Sequence, residues 1–258
     1  ITLKLSEIKD EDLPNISICT PTGNRRWIFS LAIRNFMSFI YPKKLIQWNI
    51  LDDGDESMTD LIPRDNRINY KFIGGNNTRL TVAEKRNKLV EMSDNDIIVF
   101  MDDDDYYTPE NLIARVKALL KYSKEGVKCV GCKEVATYDL IKEMAAICSN
   151  GEEYLTESSL AFTREFWDNR QFNDTDRASE FRHFLEYRQS EIRSIPFQFV
   201  TVALTHGKNT TGGVRSLDQY QKWRPSENWE ESKKMLLDIL DEDAQDYLLS
   251  IKKRIPSN

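Results

Sequence analysis

Through the first half of the chain, short apolar runs alternate with stretches in which apolar positions recur every three or four residues. Ile16–Cys19, Leu45–Leu51, Ile68–Ile73 and Ile97–Met101 read as strands. Trp27–Ile40, Val82–Met92 and Pro109–Tyr122 carry helical spacing between or after them. Such alternation builds a mostly parallel sheet with helices on both faces. In open sheets of that kind ligands bind beyond the carboxyl ends of the strands, so those ends are where chemistry is sought.

Two helix starts are marked locally. Thr81 and Glu84 stand at capping-box spacing, and Thr108-Pro109-Glu110 supplies a cap, a first-turn proline and a favourable charge for the helix dipole. After Lys128 the rhythm becomes β-rich, with Val127–Val130, Glu134–Leu140, Met144–Ile147 and Ser159–Phe162, then a helical stretch over 179–189 and a strand over Phe197–Leu204. From Ser216 onward apolar residues return at helical intervals among many charges, and Asp241 breaks them into two expected helices that pack on the rest. The organisation implied is one α/β unit over 1–215, with halves at about 14–125 and 126–215, and a helical extension over 216–258.

The 258 residues carry 36 basic and 42 acidic side chains, a net charge of -6. General attraction to nucleic acid or to an anionic membrane is therefore not expected, and a phosphate-bearing ligand must be gripped locally. No apolar stretch approaches the ~20 residues that span a bilayer. The chain starts at Ile1, as a domain of a longer protein would. Four cysteines, Cys19, Cys129, Cys132 and Cys148, are too few for a disulfide framework and suit a reducing, cytoplasmic setting. The Cys129/Cys132 pair has no second pair to complete a zinc site, so core thiols are expected.

The sharpest chemical signal is Ile97-Ile98-Val99-Phe100-Met101 running straight into Asp102-Asp103-Asp104-Asp105. An apolar run of that type is a central strand buried on both faces, and it delivers its acids to the ligand edge. Four adjacent carboxylates repel one another. A divalent cation relieves that repulsion, and Mg²⁺ or Mn²⁺ typically takes one or two carboxylates while phosphate oxygens and water complete its shell. A second acidic turn, Asp52-Asp53-Gly54, follows another apolar strand and is suited to aiming a carboxylate at a ribose or a base edge. His206 follows the last apolar strand and precedes a Gly-rich loop, a placement that fits a ligand at a strand end or an ordinary histidine.

Taken in order, Ile16–Thr22, the Asp52-Asp53-Gly54 turn, Arg86-Asn87 and the Asp102 to Asp104 run resemble family-2 glycosyltransferases of the GT-A fold. The resemblance covers roughly residues 14 to 206 and is closest through Leu112. It implies a Rossmann-like α/β domain with a mixed, mostly parallel central sheet, plus the C-terminal helical tail. It implies transfer of a sugar from a nucleotide-sugar, UDP-linked for preference, to a hydroxyl of a glycan or glycoconjugate, with Mn²⁺ or Mg²⁺ as cofactor. Thr20, Pro21 and Asp52 or Asp53 would cradle the nucleoside, Arg86 would face the nucleotide pocket, and Asp102 and Asp103 would approach the ribose. Asp104 would bind the metal with Asp102 beside it, Asp105 would stand behind them, and His206 would be a further metal ligand. Lys208 and Arg215 would neutralise the diphosphate as the loop closes. An inverting transfer needs a carboxylate base, and the matching stretch offers Glu180 with Asp176 behind it, although the family pattern places an Asp where Glu180 stands.

Two other readings stay open at this level. A nucleotidyltransferase shares the sheet and the metal chemistry, but it wants a Gly-rich basic loop after the first strand, which Thr20-Pro21-Thr22-Gly23-Asn24-Arg25-Arg26 fits poorly. A binding module that kept the metal–nucleotide site and lost turnover would look the same in sequence.

Overall fold

The computed structural model describes residues 8–75, 79–149, 154–174, 181–209 and 229–256. A seven-stranded sheet forms the centre of the fold. In chain order it comprises β1 (Ile16–Thr22), β2 (Ile46–Asp52), β3 (Ile68–Phe72), β4 (Ile97–Phe100), β6 (Cys129–Gly131), β9 (Ala161–Thr163) and β10 (Ile192–Ser194). Across the sheet the order is β10-β6-β9-β4-β1-β2-β3. β3, β2, β1 and β4 are mutually parallel, while β9 runs antiparallel between β4 and β6. The sheet is therefore mixed and mostly parallel, as expected.

Alternation along β4 explains why that strand is apolar throughout. Ile97, Val99 and Met101 face one core and Ile98 and Phe100 face the other. Helices α1 (Ser30–Ser38) and α3 (Asn111–Ser123) cover the first face, and α2 (Val82–Glu91), α4 (Arg164–Asn169) and α5 (Phe181–Leu185) cover the second. Trp48 is wholly buried on the first face, stacked between Phe29 and Phe36 with ring centroids 6.2 and 4.6 Å away, and its indole N–H donates to Thr20. Each ring pair is worth about 0.5–1.5 kcal/mol beyond its area. The opposite face is filled by Phe100, Phe162, Phe166, Phe172 and Phe184.

The Thr81/Glu84 capping box forms as predicted, with bonds of 3.1 and 2.6 Å in its two directions. The Thr108 cap does not. α3 begins at Asn111, and the Thr108 hydroxyl donates instead to the carbonyl of Phe199. Tertiary pairing with residues 197–199 outcompetes a local cap, because that carbonyl would otherwise be left without a donor.

A second sheet has the order β5-β11-β7-β8, built from β5 (Tyr106–Tyr107), β7 (Glu134–Asp139), β8 (Met144–Ser149) and β11 (Thr201–Thr205). The strand expected from Phe197 begins only at Thr201, since 197–199 form a 3-10 turn. β11 pairs antiparallel with β5, Thr201 opposite Tyr107 and Val202 opposite Tyr106. This pairing draws the chain after residue 204 towards the acidic run.

Two C-terminal helices, α6 (Trp229–Ile239) and α7 (Glu242–Lys252), complete the described chain. Asp241 separates them and caps the second, accepting from the Ala244 amide at 2.7 Å. Leu236, Leu240, Leu248 and Ile251 are buried in the first core, so the tail is continuous with it. Arg34 on α1 pairs with Asp243, and the Tyr247 hydroxyl bonds Ser30 at 2.7 Å. No helix among the described residues is long and apolar enough to cross a membrane.

Candidate active site

Strand order reverses beside β1, which lies between β2 and β4. The crevice at such a switch point is where open α/β sheets bind ligands. Thr22 ends β1 there and Asp102–Asp105 leave β4, and the Thr22 hydroxyl donates directly to Asp103. Pro21, Thr22, Gly23, Arg25, Val82 and Lys85 line a cleft together with Asp102, Asp103 and Asp104.

The exit from β4 is held on several sides. The buried Tyr107 hydroxyl accepts from the Asp102 amide and donates to the Ser158 carbonyl, both at 2.9 Å. Arg115, buried on α3, donates to the carbonyls of Phe100 and Leu160 and to Asn111, and burial lowers its pKa to about 10. Asn35, buried on α1, donates to the carbonyl of Asp105 and accepts from the Tyr107 amide. The acidic turn is thus a rigid object before any ligand arrives.

Each carboxylate has its own environment. Asp102 pairs with Arg86 at 3.1 Å. Arg86 is buried, with its guanidinium 4.5 Å from the centroid of Phe100, so it sits beneath Asp102 rather than on an exposed helix face. Asp103 is buried beside Thr22. Burial above all, with the charge of Asp104 next, raises its pKa to about 7 against the pull of Arg25 and Thr22. Burial would raise Asp104 as well, but its bond from His206 and the nearby Arg25 prevail and hold it below the usual carboxylate range. Asp105 faces inward and accepts from the Leu204 amide on β11 at 3.0 Å, and burial followed by the charges of Asp104 and Asp102 keeps it well above that range.

The second acidic turn divides its two carboxylates. Asp52 is wholly buried and spends its oxygens on the Gly54 amide at 2.8 Å and the Tyr70 hydroxyl at 2.6 Å, which shapes the turn. Asp53 turns to the cleft side, accepting from Lys85 and from the Leu80 amide, both at 3.0 Å, with Arg79 at 3.6 Å. Gly74 packs so closely on this turn that an added Cβ would stand 1.8 Å from the Gly54 carbonyl oxygen. Thr20 keeps its hydroxyl on Trp48 in the core, whereas Pro21 lies on the cleft wall.

His206 reaches the acidic run from 102 residues away, its Nε2 lying 3.1 Å from Asp104 Oδ2. Its other nitrogen, Nδ1, accepts from the Lys208 amide at 3.2 Å, which leaves the Nε2–H to donate to Asp104 in the neutral ring. Asn209 closes the turn, accepting from the His206 amide and donating to the Leu204 carbonyl, both at 2.9 Å. Gly207 adopts φ 78°, a left-handed conformation that favours glycine. The Lys208 carbonyl accepts from Arg25.

Glu180, Asp176 and Arg215 lie outside the described residues. The chain leading towards the first two is anchored by α2, where Asn87 bonds Asp174 at 2.8 Å and the Phe172 carbonyl at 2.9 Å. Among the described residues no three His, Cys, Asp or Glu side chains gather as a metal cage. What the corner offers is one carboxylate held below its usual range, Asp104, with an imidazole against it. That donor set fits a hard cation that takes most of its shell from phosphate and water. Thr22, Arg25, Arg79, Lys85 and Asn209 were not singled out from sequence. Arg25 and Lys85 carried only the generic signal of a basic residue after β1 or near the start of α2.

Residues 17–186 match the family described as Glycosyl transferase family 2. No curated protein sequence matches the chain significantly. Among solved structures, S. aureus TarS 1–349 in complex with UDP-GlcNAc is similar at 14% identity and a TM-score of 0.59, over 93% of this chain and 71% of that one. The mannosyltransferase PcManGT from Pyrobaculum calidifontis, in complex with GDP-Man and Mn²⁺, is similar at 14% identity and 0.58, over 95% and 74%. A longer S. aureus TarS matches at 14% identity and 0.55 over 74% of this chain, which spans 37% of that one. These likenesses establish a common fold. The family match runs from β1 through α5 and takes in both acidic turns, so the chain belongs to glycosyltransferase family 2 and is a glycosyltransferase.

Proposed function

We propose that this protein moves a sugar from a UDP-linked donor to a hydroxyl of a glycan or glycoconjugate, with inversion and with Mn²⁺ or Mg²⁺ as cofactor. One observation carries the reading: Asp102, Asp103 and Asp104 meet Arg25 and Lys85 in a single cleft at the switch point between β1 and β4, with the buried His206 against Asp104. The similar structures hold UDP-GlcNAc, UDP and GDP-Man with Mn²⁺ in complexes of the same fold, which supports a nucleotide-sugar donor.

On this reading Asp53 and Pro21 contact the nucleoside, Asp102 and Asp103 approach the ribose, and Asp104 would hold the cation, with His206 a further ligand only once its Nε2 has given up the proton it shares with Asp104. A bound divalent cation supplies neutralisation of the diphosphate as it leaves. Lys85 adds positive charge on the cleft wall, and Lys208 and Arg215 are proposed to join it. Glu180, or Asp176 behind it, takes the proton from the acceptor hydroxyl while the sugar–diphosphate bond breaks. Residues 1–215 form the transferring unit, with 216–258 as its packed extension, and the three buried thiols suit the cytoplasm.

Calorimetry with UDP, with and without Mn²⁺, and release of free UDP from a panel of UDP-sugars test this reading. Asp104→Asn is expected to abolish metal-dependent UDP binding, and Glu180→Gln to keep binding and lose turnover. Metal-dependent binding that survives Asp104→Asn, or full turnover by Glu180→Gln, rejects the corresponding assignment.

A further inference from the structure

Arg25 is fixed in the cleft by its backbone as well as by its side chain. Asn24 adopts the left-handed conformation at φ 59° and is stapled to Asp55 by two bonds of 2.8 Å. The Arg25 carbonyl then accepts from the amides of Ile28 and Phe29, both at 2.9 Å, which starts the turn into α1. The guanidinium that this turn delivers is 12% exposed. It lies 3.5 Å from Asp104, 4.0 Å from Asp103 and in hydrogen-bond contact with the carbonyl of Lys208. One side chain on the β1–α1 turn thus joins the acidic run to the segment after β11.

We infer that Arg25 is the resident counter-cation of the acidic corner and competes with the divalent ion for Asp104. The inference rests on the metal reading proposed above. Asp104 Oδ2 already takes Arg25, the His206 ring at 3.1 Å and Asn209 at 3.5 Å, so an ion arriving at this carboxylate meets the protein's own donors. An arriving ion and a guanidinium on one carboxylate oxygen repel each other in a partly desolvated site. Ion binding is therefore expected to displace Arg25 from Asp104. The released side chain stays on the cleft wall, where its planar fork suits a phosphate oxygen. Arg25 is a positioning residue, and its role is to hold the corner and the 206–209 segment together until metal and donor arrive.

The test titrates Mn²⁺ alone, without nucleotide, into metal-stripped wild type, Arg25→Met and Arg25→Lys by calorimetry. Arg25→Met is expected to bind Mn²⁺ about tenfold tighter, because removing one nearby positive charge removes the competitor. Arg25→Lys keeps the charge and is expected to stay within about threefold of wild type. Thermal unfolding in EDTA provides a second reading: Arg25→Met melts below wild type, and saturating Mn²⁺ closes the gap. Equal or weaker Mn²⁺ binding by Arg25→Met, a Lys variant as tight as the Met variant, or no Mn²⁺ binding by any of the three proteins overturns the inference. UDP release by wild type is read separately, so the donor reading can stand when the Arg25 inference falls.

Discussion

Asn35 offers the most direct check on the claim that the acidic turn is held rigid from behind. It lies on α1, wholly buried, and its amide satisfies two backbone groups of the turn, the Asp105 carbonyl at 2.8 Å and the Tyr107 amide at 3.3 Å. Asn35→Leu puts a somewhat larger apolar side chain there and removes both partners. A buried backbone group left without a partner costs about 1–3 kcal/mol, so two cost about 4 kcal/mol, and the larger apolar side chain returns about 1 kcal/mol. The net expectation is a loss of about 3 kcal/mol, or about 6–12 °C in melting temperature for a chain of this size. Urea unfolding measures the loss, and an unchanged m-value shows that native compactness is retained. Because Asp104 lies on the same turn, affinity for Mn²⁺ in the presence of UDP should fall as well. Asn35→Asp should do no better, since it sets a carboxylate oxygen against the Asp105 carbonyl beside charges already crowded there. A loss under about 1 kcal/mol for the Leu variant, or an Asp variant as stable as wild type, would refute the argument.

The remaining expectations concern the second acidic turn and pH. Gly74→Ala should displace the Asp53–Gly54 backbone, because the new methyl falls on the Gly54 carbonyl; it should destabilise the protein by about 1–3 kcal/mol and weaken UDP binding, and a crystal structure with the turn unmoved would count against it. In EDTA, Asp103 has a folded pKa of about 7, set first by burial and then by Asp104, above the usual carboxylate value. The folded state therefore holds a proton that the unfolded state has lost between those two values, so stability from this group is complete at low pH and declines as pH rises towards 7. Melting curves from pH 4 to 8 should fall more steeply for wild type than for Asp103→Asn, and parallel curves would contradict the assignment.

Much of the frame was legible in the order of residues. The alternation of apolar runs and helical spacing located β1, β2, β3, β4, α2 and the two tail helices, because these elements bury whole faces and repeat with a period that a single chain displays. The capping box at Thr81 is a four-residue event and was equally visible. The acidic run after β4 announced itself because five buried-strand residues fix where the next carboxylates emerge.

Which side chains meet there was decided by tertiary structure alone. β5 and β10 are two and three residues long and carry no period to read. Pairing of β11 with β5 brings His206 against Asp104, and the left-handed turn at Asn24 points Arg25 between Asp103 and Asp104. The family resemblance pointed to Arg86 in the sequence, yet only the packing over Phe100 put it beneath Asp102. Thr108 lost its predicted capping role to the Phe199 carbonyl, 91 residues further along the chain. Local order along a chain sets periodicity and turn chemistry, whereas the partner of a buried charge depends on strand register and on which neighbour desolvates it, and both arise only when distant segments pack.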